Sequence, residues 1–129
     1  LFPYGVAEKN EKVYFASRAF EDSSIISKEE AEKMNFEGVT TIETISLDEV
    51  LKGKRITFLK MDIEGAEYGA LLGAKNLIKE NRPRMAISIY HKFADFITIP
   101  NLILEMNPEY EITFRQYGLD ELETIMYVE

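Results

Sequence analysis

The chain contains no cysteine. Disulfides, thiolate-held zinc and thiol nucleophiles are thereby excluded, and a reducing, cytoplasmic location is expected. No apolar run approaches the roughly 18–20 residues that a membrane span needs, and no signal-peptide pattern is expected in the first residues. No Gly-x-Gly occurs, so no glycine-rich loop for phosphate or a dinucleotide is present. No Gly-x-Ser-x-Gly elbow occurs either, which leaves serine-hydrolase chemistry without support. Positive charge is scarce: 15 Lys and Arg face 23 Asp and Glu, for a net charge of −8. That balance argues against nucleic acid and anionic membrane surfaces, both of which recruit Lys and Arg. A starting Met is also missing, and Leu1 in its place points to a processed product or a fragment.

What is present is enough for one domain. The chain has 129 residues, of which 46% are hydrophobic, so a core can be buried. Neither internal repeats nor low-complexity tracts occur. Residues 1–6 read as the end of a strand entering a loop, and Lys12–Ala16 as a short strand. From Asp22 to Phe36 the chain is polar and reads as a solvated loop or short helix. Val39–Ile45, rich in Thr, Val and Ile, predicts a strand. Ser46-Leu47-Asp48-Glu49 is a Ser-x-x-Glu capping box, predicting a short helix that Gly53 ends.

Ile56–Met61 is expected to be a strand covered on both faces. Beyond Glu64, the residues Ala66, Ala70, Leu71, Ala74, Leu77 and Ile78 share one helical face, predicting a continuous helix up to Pro83. Gly65, Gly69 and Gly73 recur beside that face, where small residues let a helix lie close to a sheet. Met85–Tyr90 reads as a buried strand ending at His91. Ile99, Leu102, Ile103 and Met106 mark a further helix, with Pro100 tolerable near its start. Tyr110–Tyr117 and Leu122–Val128 predict an antiparallel hairpin across Gly118–Glu121. The alternation implies an α/β fold with a mostly parallel sheet, helices on its faces, and a terminal antiparallel hairpin.

Phe58-Leu59-Lys60-Met61-Asp62-Ile63-Glu64-Gly65-Ala66-Glu67 concentrates the chemistry. It places three carboxylates where a strand runs into a helix, and open α/β sheets bind ligands beyond the carboxyl ends of their strands. One reading is structural: Asp62 or Glu64 caps the helix and Glu67 is a first-turn acid stabilised by the helix dipole. Another is a metal site, since hard cations take several carboxylate oxygens, with Asp62 and Glu64 as ligands. A third is a general base beside a bound cofactor. An EF-hand is excluded, because its glycine belongs at the sixth loop position and Gly65 is fourth from Asp62. His91, the sole histidine, follows a buried strand at the same predicted crevice and suits proton transfer near neutrality. Its neighbour Lys92 is a candidate to hold an anionic substrate, or else a solvated lysine.

Several blocks in order over residues 39–129 resemble the FkbM-type methyltransferases. They are Ile45-Ser46-Leu47-Asp48-Glu49, Leu59–Glu67, Leu71-Leu72-Gly73-Ala74, Ala86–Lys92 and Glu123-Thr124-Ile125-Met126-Tyr127. The resemblance implies a Rossmann-like class I methyltransferase fold, S-adenosylmethionine as cofactor, and O-methylation of a small-molecule or glycan hydroxyl. It makes residues 39–129 strands four to seven, and residues 1–38 the end of the third strand with an extension. Residues 1–129 would then be the C-terminal part of one methyltransferase domain, lacking its first strands and inactive alone. The implied site has Asp62 and His91 as catalytic residues, Gly5, Val6, Asp62 and Glu64 against the cofactor, and Lys92 toward the substrate. A divalent cation on Asp62 and Glu64 is a further candidate cofactor. The exposed sheet edge would be covered by the missing N-terminal part or by a second copy. Two other functions stay open: a noncatalytic interaction module that keeps the sheet without a cofactor site, and a metal-dependent hydrolase built on the carboxylates.

Overall fold

A computed structural model describes residues 3–18, 21–118 and 123–129, with the backbone alone at 17, 18 and 21–24. Leu1 and Phe2 of the expected strand end, residues 119–121 of the expected hairpin turn and Leu122 of the expected last strand lie outside the described residues. The α/β class holds, but the strands form two four-stranded sheets rather than one mostly parallel sheet. The first contains β1 (Gly5–Val6), β2 (Glu11–Arg18), β3 (Glu21–Ile26) and β4 (Val39–Ile45), in the order β1-β4-β2-β3. The second contains β5 (Phe58–Met61), β6 (Arg84–Ser88), β7 (Ile112–Gln116) and β8 (Thr124–Val128), in the order β5-β6-β8-β7. Among the described residues only β1–β4 and β5–β6 pair in parallel, and the other pairings are antiparallel.

One strand of the first sheet lies in the stretch expected to be a solvated loop or short helix. Residues expected to be polar connection form β3, whose partner β2 runs longer than Lys12–Ala16. After β3 comes α1 (Lys28–Lys33), opened by a full capping box. The Ser27 hydroxyl accepts the Glu30 N–H at 3.2 Å, and the Glu30 carboxylate accepts the Ser27 N–H at 2.8 Å. The expected box at Ser46 is only half formed. The Ser46 hydroxyl accepts the Glu49 N–H, opening α2 (Leu47–Val50), but the Ser46 N–H donates to the Asn10 side chain at 2.8 Å. Asn10 in turn donates to the Glu49 carboxylate, so a loop residue stands between the two halves of the box. The turn after α2 contains Gly53 at φ +72°, two residues beyond the helix cap at Leu51.

The long helix predicted after Glu64 is broken in two, α3 (Glu67–Leu72) and α4 (Lys75–Asn81). Two contacts explain the break. A Cβ on Gly73 would lie 2.2 Å from the Ala7 carbonyl oxygen, so only glycine lets the chain pass this close to the first sheet. The freed Gly73 carbonyl then accepts the Ser46 hydroxyl at 3.1 Å and the Asp48 N–H at 2.8 Å. The Asp48 carboxylate accepts the N–H groups of Asn76 and Leu77 at 3.0 and 2.7 Å, supplying from α2 the cap that α4 lacks in its own sequence. Of the three repeating glycines, Gly73 alone makes this approach to backbone; Gly69 has open space around its Cβ position. Helix α4 ends at Arg82 in a left-handed conformation, one residue before Pro83.

Helix α5 (Asp95–Met106) starts earlier than its apolar positions implied, which puts Pro100 in the second turn rather than near the start. There it removes one backbone donor from the helix. Helices α3 and α4 both contact α5, and together they cover one face of the second sheet. On that face the cross-strand rows Leu59/Met85/Val128/Ile112 and Met61/Ile87/Met126 meet Leu71, Ile78, Ile99 and Ile103 to form the core, while Phe114 at the end of the second row is exposed. The opposite face is not buried to the same degree. Phe58 is 55% exposed and Lys60 is also exposed, so β5 is an edge strand open on one side and one face, not the doubly covered strand expected. No helix among the described residues is long and apolar enough to cross a membrane.

Candidate active site

Strands β5 and β6 run parallel, so the segments that follow them emerge at the same end of the sheet. Asp62, Glu64 and Glu67 follow β5; Tyr90, His91 and Lys92 follow β6. The turn after β5 is tight. Glu64 (φ +56°) and Gly65 (φ +85°) both take left-handed conformations, and for a non-glycine residue such a backbone is costly and concentrates at functional sites. A Cβ on Gly65 would also meet the Lys92 side chain at 3.0 Å. The Lys92 ammonium donates instead to the Gly65 carbonyl, tying the two segments together.

His91 is the centre of the cluster. Its side chain is 7% exposed, and carboxylates surround it. Nδ1 lies 3.2 Å from Glu67 Oε1, and Nε2 lies 3.2 Å from Glu64 Oε2 and 3.8 Å from Asp62 Oδ1. These are close approaches without aligned hydrogen bonds: both ring nitrogens lack a hydrogen-bond partner among the described residues. Neither Asp62 nor Glu64 caps α3, whose cap position is Ala66 with no side-chain bond. Glu67 is no solvated first-turn acid. It is fully buried, its Oε1 accepts the Ile63 N–H at 2.8 Å, and its Oε2 has no partner.

The local field is negative. The Tyr90 hydroxyl is held above its ordinary pKa by burial first, then by the charges of Asp62, Glu64, Glu123 and Glu67. Asp95, buried at the start of α5, is pushed up by loss of solvent, which Lys92 partly offsets. Two open hollows flank the cluster. One, of about 420 Å³, is bounded by Ala7, Glu8, Glu64, Gly65, Gly69 and Lys92. The other, of about 330 Å³, is bounded by Asp62, Ser88, Tyr90, Tyr117, Glu123 and Ile125.

Asp62, Glu64, His91 and Lys92 are therefore brought together. Gly5 and Val6 are not in that cluster: they form β1, paired with Thr44 and Ile45, and the chain reaches the first hollow only at Ala7. The residues sequence reasoning undervalued are Glu67, Tyr90 and Asp95. The signal for two of them was available. Glu67 sits three, four and seven residues before Ala70, Leu71 and Ala74, on the apolar stripe itself, and Asp95 stands likewise to Ile99, Leu102 and Ile103.

Residues 4–123 match the family described as the methyltransferase FkbM domain. The chain belongs to the FkbM methyltransferase family. It is similar to the crystal structure of methyltransferase FkbM from Methylobacillus flagellatus, with a TM-score of 0.72 and 28% sequence identity. That likeness covers 98% of this chain and 27% of the other, so the chain spans about a quarter of the length of its FkbM relative. Among curated protein sequences none matches it.

Proposed function

We infer that the protein takes part in S-adenosylmethionine-dependent O-methylation, with a small-molecule or glycan hydroxyl as acceptor, and that the site is the junction after β5 and β6. The observation that carries this reading is the convergence of Asp62, Glu64 and Glu67 on His91 at the carboxyl ends of two parallel strands, in a chain of this family. The residues suit such a donor. Its sulfonium is cationic, three carboxylates gather around His91, and the 420 Å³ hollow is of ligand size. Asp62 and Glu64 would face the donor, beside the segment that follows Gly5 and Val6. When bound, the cofactor supplies a methyl group on a sulfur that departs as a neutral thioether.

The chain's own residues handle the proton. Glu67, buried and fixed by the Ile63 N–H, faces Nδ1 of His91 and so orients the ring, leaving Nε2 toward Asp62 and Glu64. An acceptor hydroxyl loses its proton to His91 Nε2 or to Asp62 as it attacks, a contribution of about 10²–10⁴-fold when the base is in place. Lys92, held over Gly65, fixes the loop and presents charge to an anionic part of the substrate. The open edge of β5 is covered in the working protein by further polypeptide or a second copy, and the setting is cytoplasmic.

Transfer of a labelled methyl group to hydroxylated acceptors by the full-length protein tests the reading. His91→Ala and Asp62→Asn are each expected to lower kcat by about 10²–10⁴-fold. Unchanged turnover in both variants would sink the assignment. A folded full-length protein that binds no S-adenosylmethionine in calorimetry would favour a noncatalytic module.

A further inference from the structure

We propose that the same junction is a divalent-cation site, with Asp62, Glu67 and His91 as its protein ligands. The metal binding stands on geometry alone; only its use in catalysis rests on the methyl-transfer reading. One ligand atom from each of these residues can be chosen so that all lie within 4.8 Å of one another. Three acids near a histidine would not by themselves make a site. What distinguishes this cluster is that its buried members are unsatisfied. Glu67 is fully buried, and its Oε2 has no hydrogen-bond partner among the described residues. His91 has a side chain only 7% exposed, and neither ring nitrogen has an aligned partner. Buried polar atoms are rarely left this way, and a buried carboxylate without a cation is costly. The nearest lysines do not meet that need. Lys60 pairs with the outer oxygen of Asp62 at 3.8 Å, and the Lys92 ammonium is committed to the Gly65 carbonyl.

The donor set selects the ion. Two carboxylates and one imidazole, with no sulfur, suit a first-row divalent ion such as Mn(II) or Zn(II) better than Ca(II), which takes an all-oxygen shell. Three protein ligands leave coordination positions free, and Asp62 also borders the 330 Å³ hollow toward which an acceptor hydroxyl would point. An ion there would ease loss of the hydroxyl proton by stabilising the alkoxide. With an ion bound, His91 and Asp62 would serve as ligands and not as the base, and the hydroxyl proton would leave to bulk water. The backbone supports the arrangement: Ile63 N–H fixes Glu67, and the left-handed Glu64 carries the chain around the point where the ligands meet.

The test is titration of chelator-treated full-length protein with Mn(II), followed by electron paramagnetic resonance, and with Zn(II) by calorimetry. The expected result is one bound ion per chain and a nitrogen coupling on Mn(II) that His91→Gln abolishes. Asp62→Asn and Glu67→Gln should each weaken binding at least about tenfold, while Glu80→Gln in α4 leaves it unchanged. Should Glu67→Gln fail to fold, Asp62→Asn and His91→Gln carry the test. No stoichiometric uptake, or an affinity unmoved by Asp62→Asn and His91→Gln, overturns the proposal. The titration contains no methyl donor, so its failure is separable from failure of the methyl-transfer reading, which donor binding and turnover report.

Discussion

The two sheets of this chain have the same number of strands and very different interiors. Apart from Ala16, the buried apolar strand residues among those described all lie in the second sheet, from Met61 through Ile87 to Val128, with α3, α4 and α5 packed on it. Among the described residues the first adds little beyond Ala16 and the half-buried Val6, and its strands carry exposed ion pairs such as Lys12–Glu43. Such pairs contribute little to stability. The chemistry follows the same division. All the candidate site side chains that converge come from the second sheet's connections, while the first sheet offers backbone at Ala7 and Glu8. The difference suggests that a cluster needing ångström-scale placement is built on the part of the chain that resists deformation, and that the first sheet shapes its surroundings.

Three measurements can break or sharpen this contrast. The largest effect is expected from truncating the two interiors in parallel. Ile87→Ala, at a fully buried position, should cost about 2–5 kcal/mol. Ile42→Ala, half-buried in β4, should cost clearly less. Urea unfolding of both variants reads the difference, and equal losses would mean that the first sheet has a core of its own. Next is the seam between the sheets. Gly73→Ala forces a Cβ onto the Ala7 carbonyl, and a loss of about 1–3 kcal/mol is expected from that overpacking. An unaffected midpoint would show that the seam gives way freely.

The smallest effect concerns the buried acid at the start of α5. Burial raises the Asp95 pKa in the folded state. A raised carboxyl pKa favours the folded state below the unfolded value of about 3.9, and that advantage is lost as pH rises through the folded value. Relative to Asp95→Asn, the native protein should therefore lose stability between about pH 4 and pH 7. Parallel unfolding curves at the two pH values check the sign. A native protein that gains on the variant as pH rises would show that Lys92 outweighs burial.

Much of the second sheet was legible because its signals are local. Val39–Ile45 in the first sheet was also read to the residue, from its run of β-branched side chains. The split into two sheets was not legible. It rests on β4, which pairs with β1 and β2; β3, whose polar composition resembles a loop, joins the same sheet through its pairing with β2. The broken helix was hidden for the same reason: an unbroken apolar stripe runs through Gly73, and what ends α3 is the backbone of Ala7 from a distant part of the chain. That Asp62 and His91 stand close together, 3.8 Å apart, was legible from their places at strand ends. Glu67 was passed over as an ordinary first-turn acid, although its position on the apolar stripe marked it as buried.

Strand β5 hydrogen-bonds to β6 and, among the described residues, to nothing on its other side. Asp62 is the residue immediately after it. A strand added along that open edge would therefore also wall the carboxylate cluster, and a slip of one residue in its alignment would reverse which of its side chains face the site. A contact that closed the sheet would thus also set the far side of the carboxylate cluster.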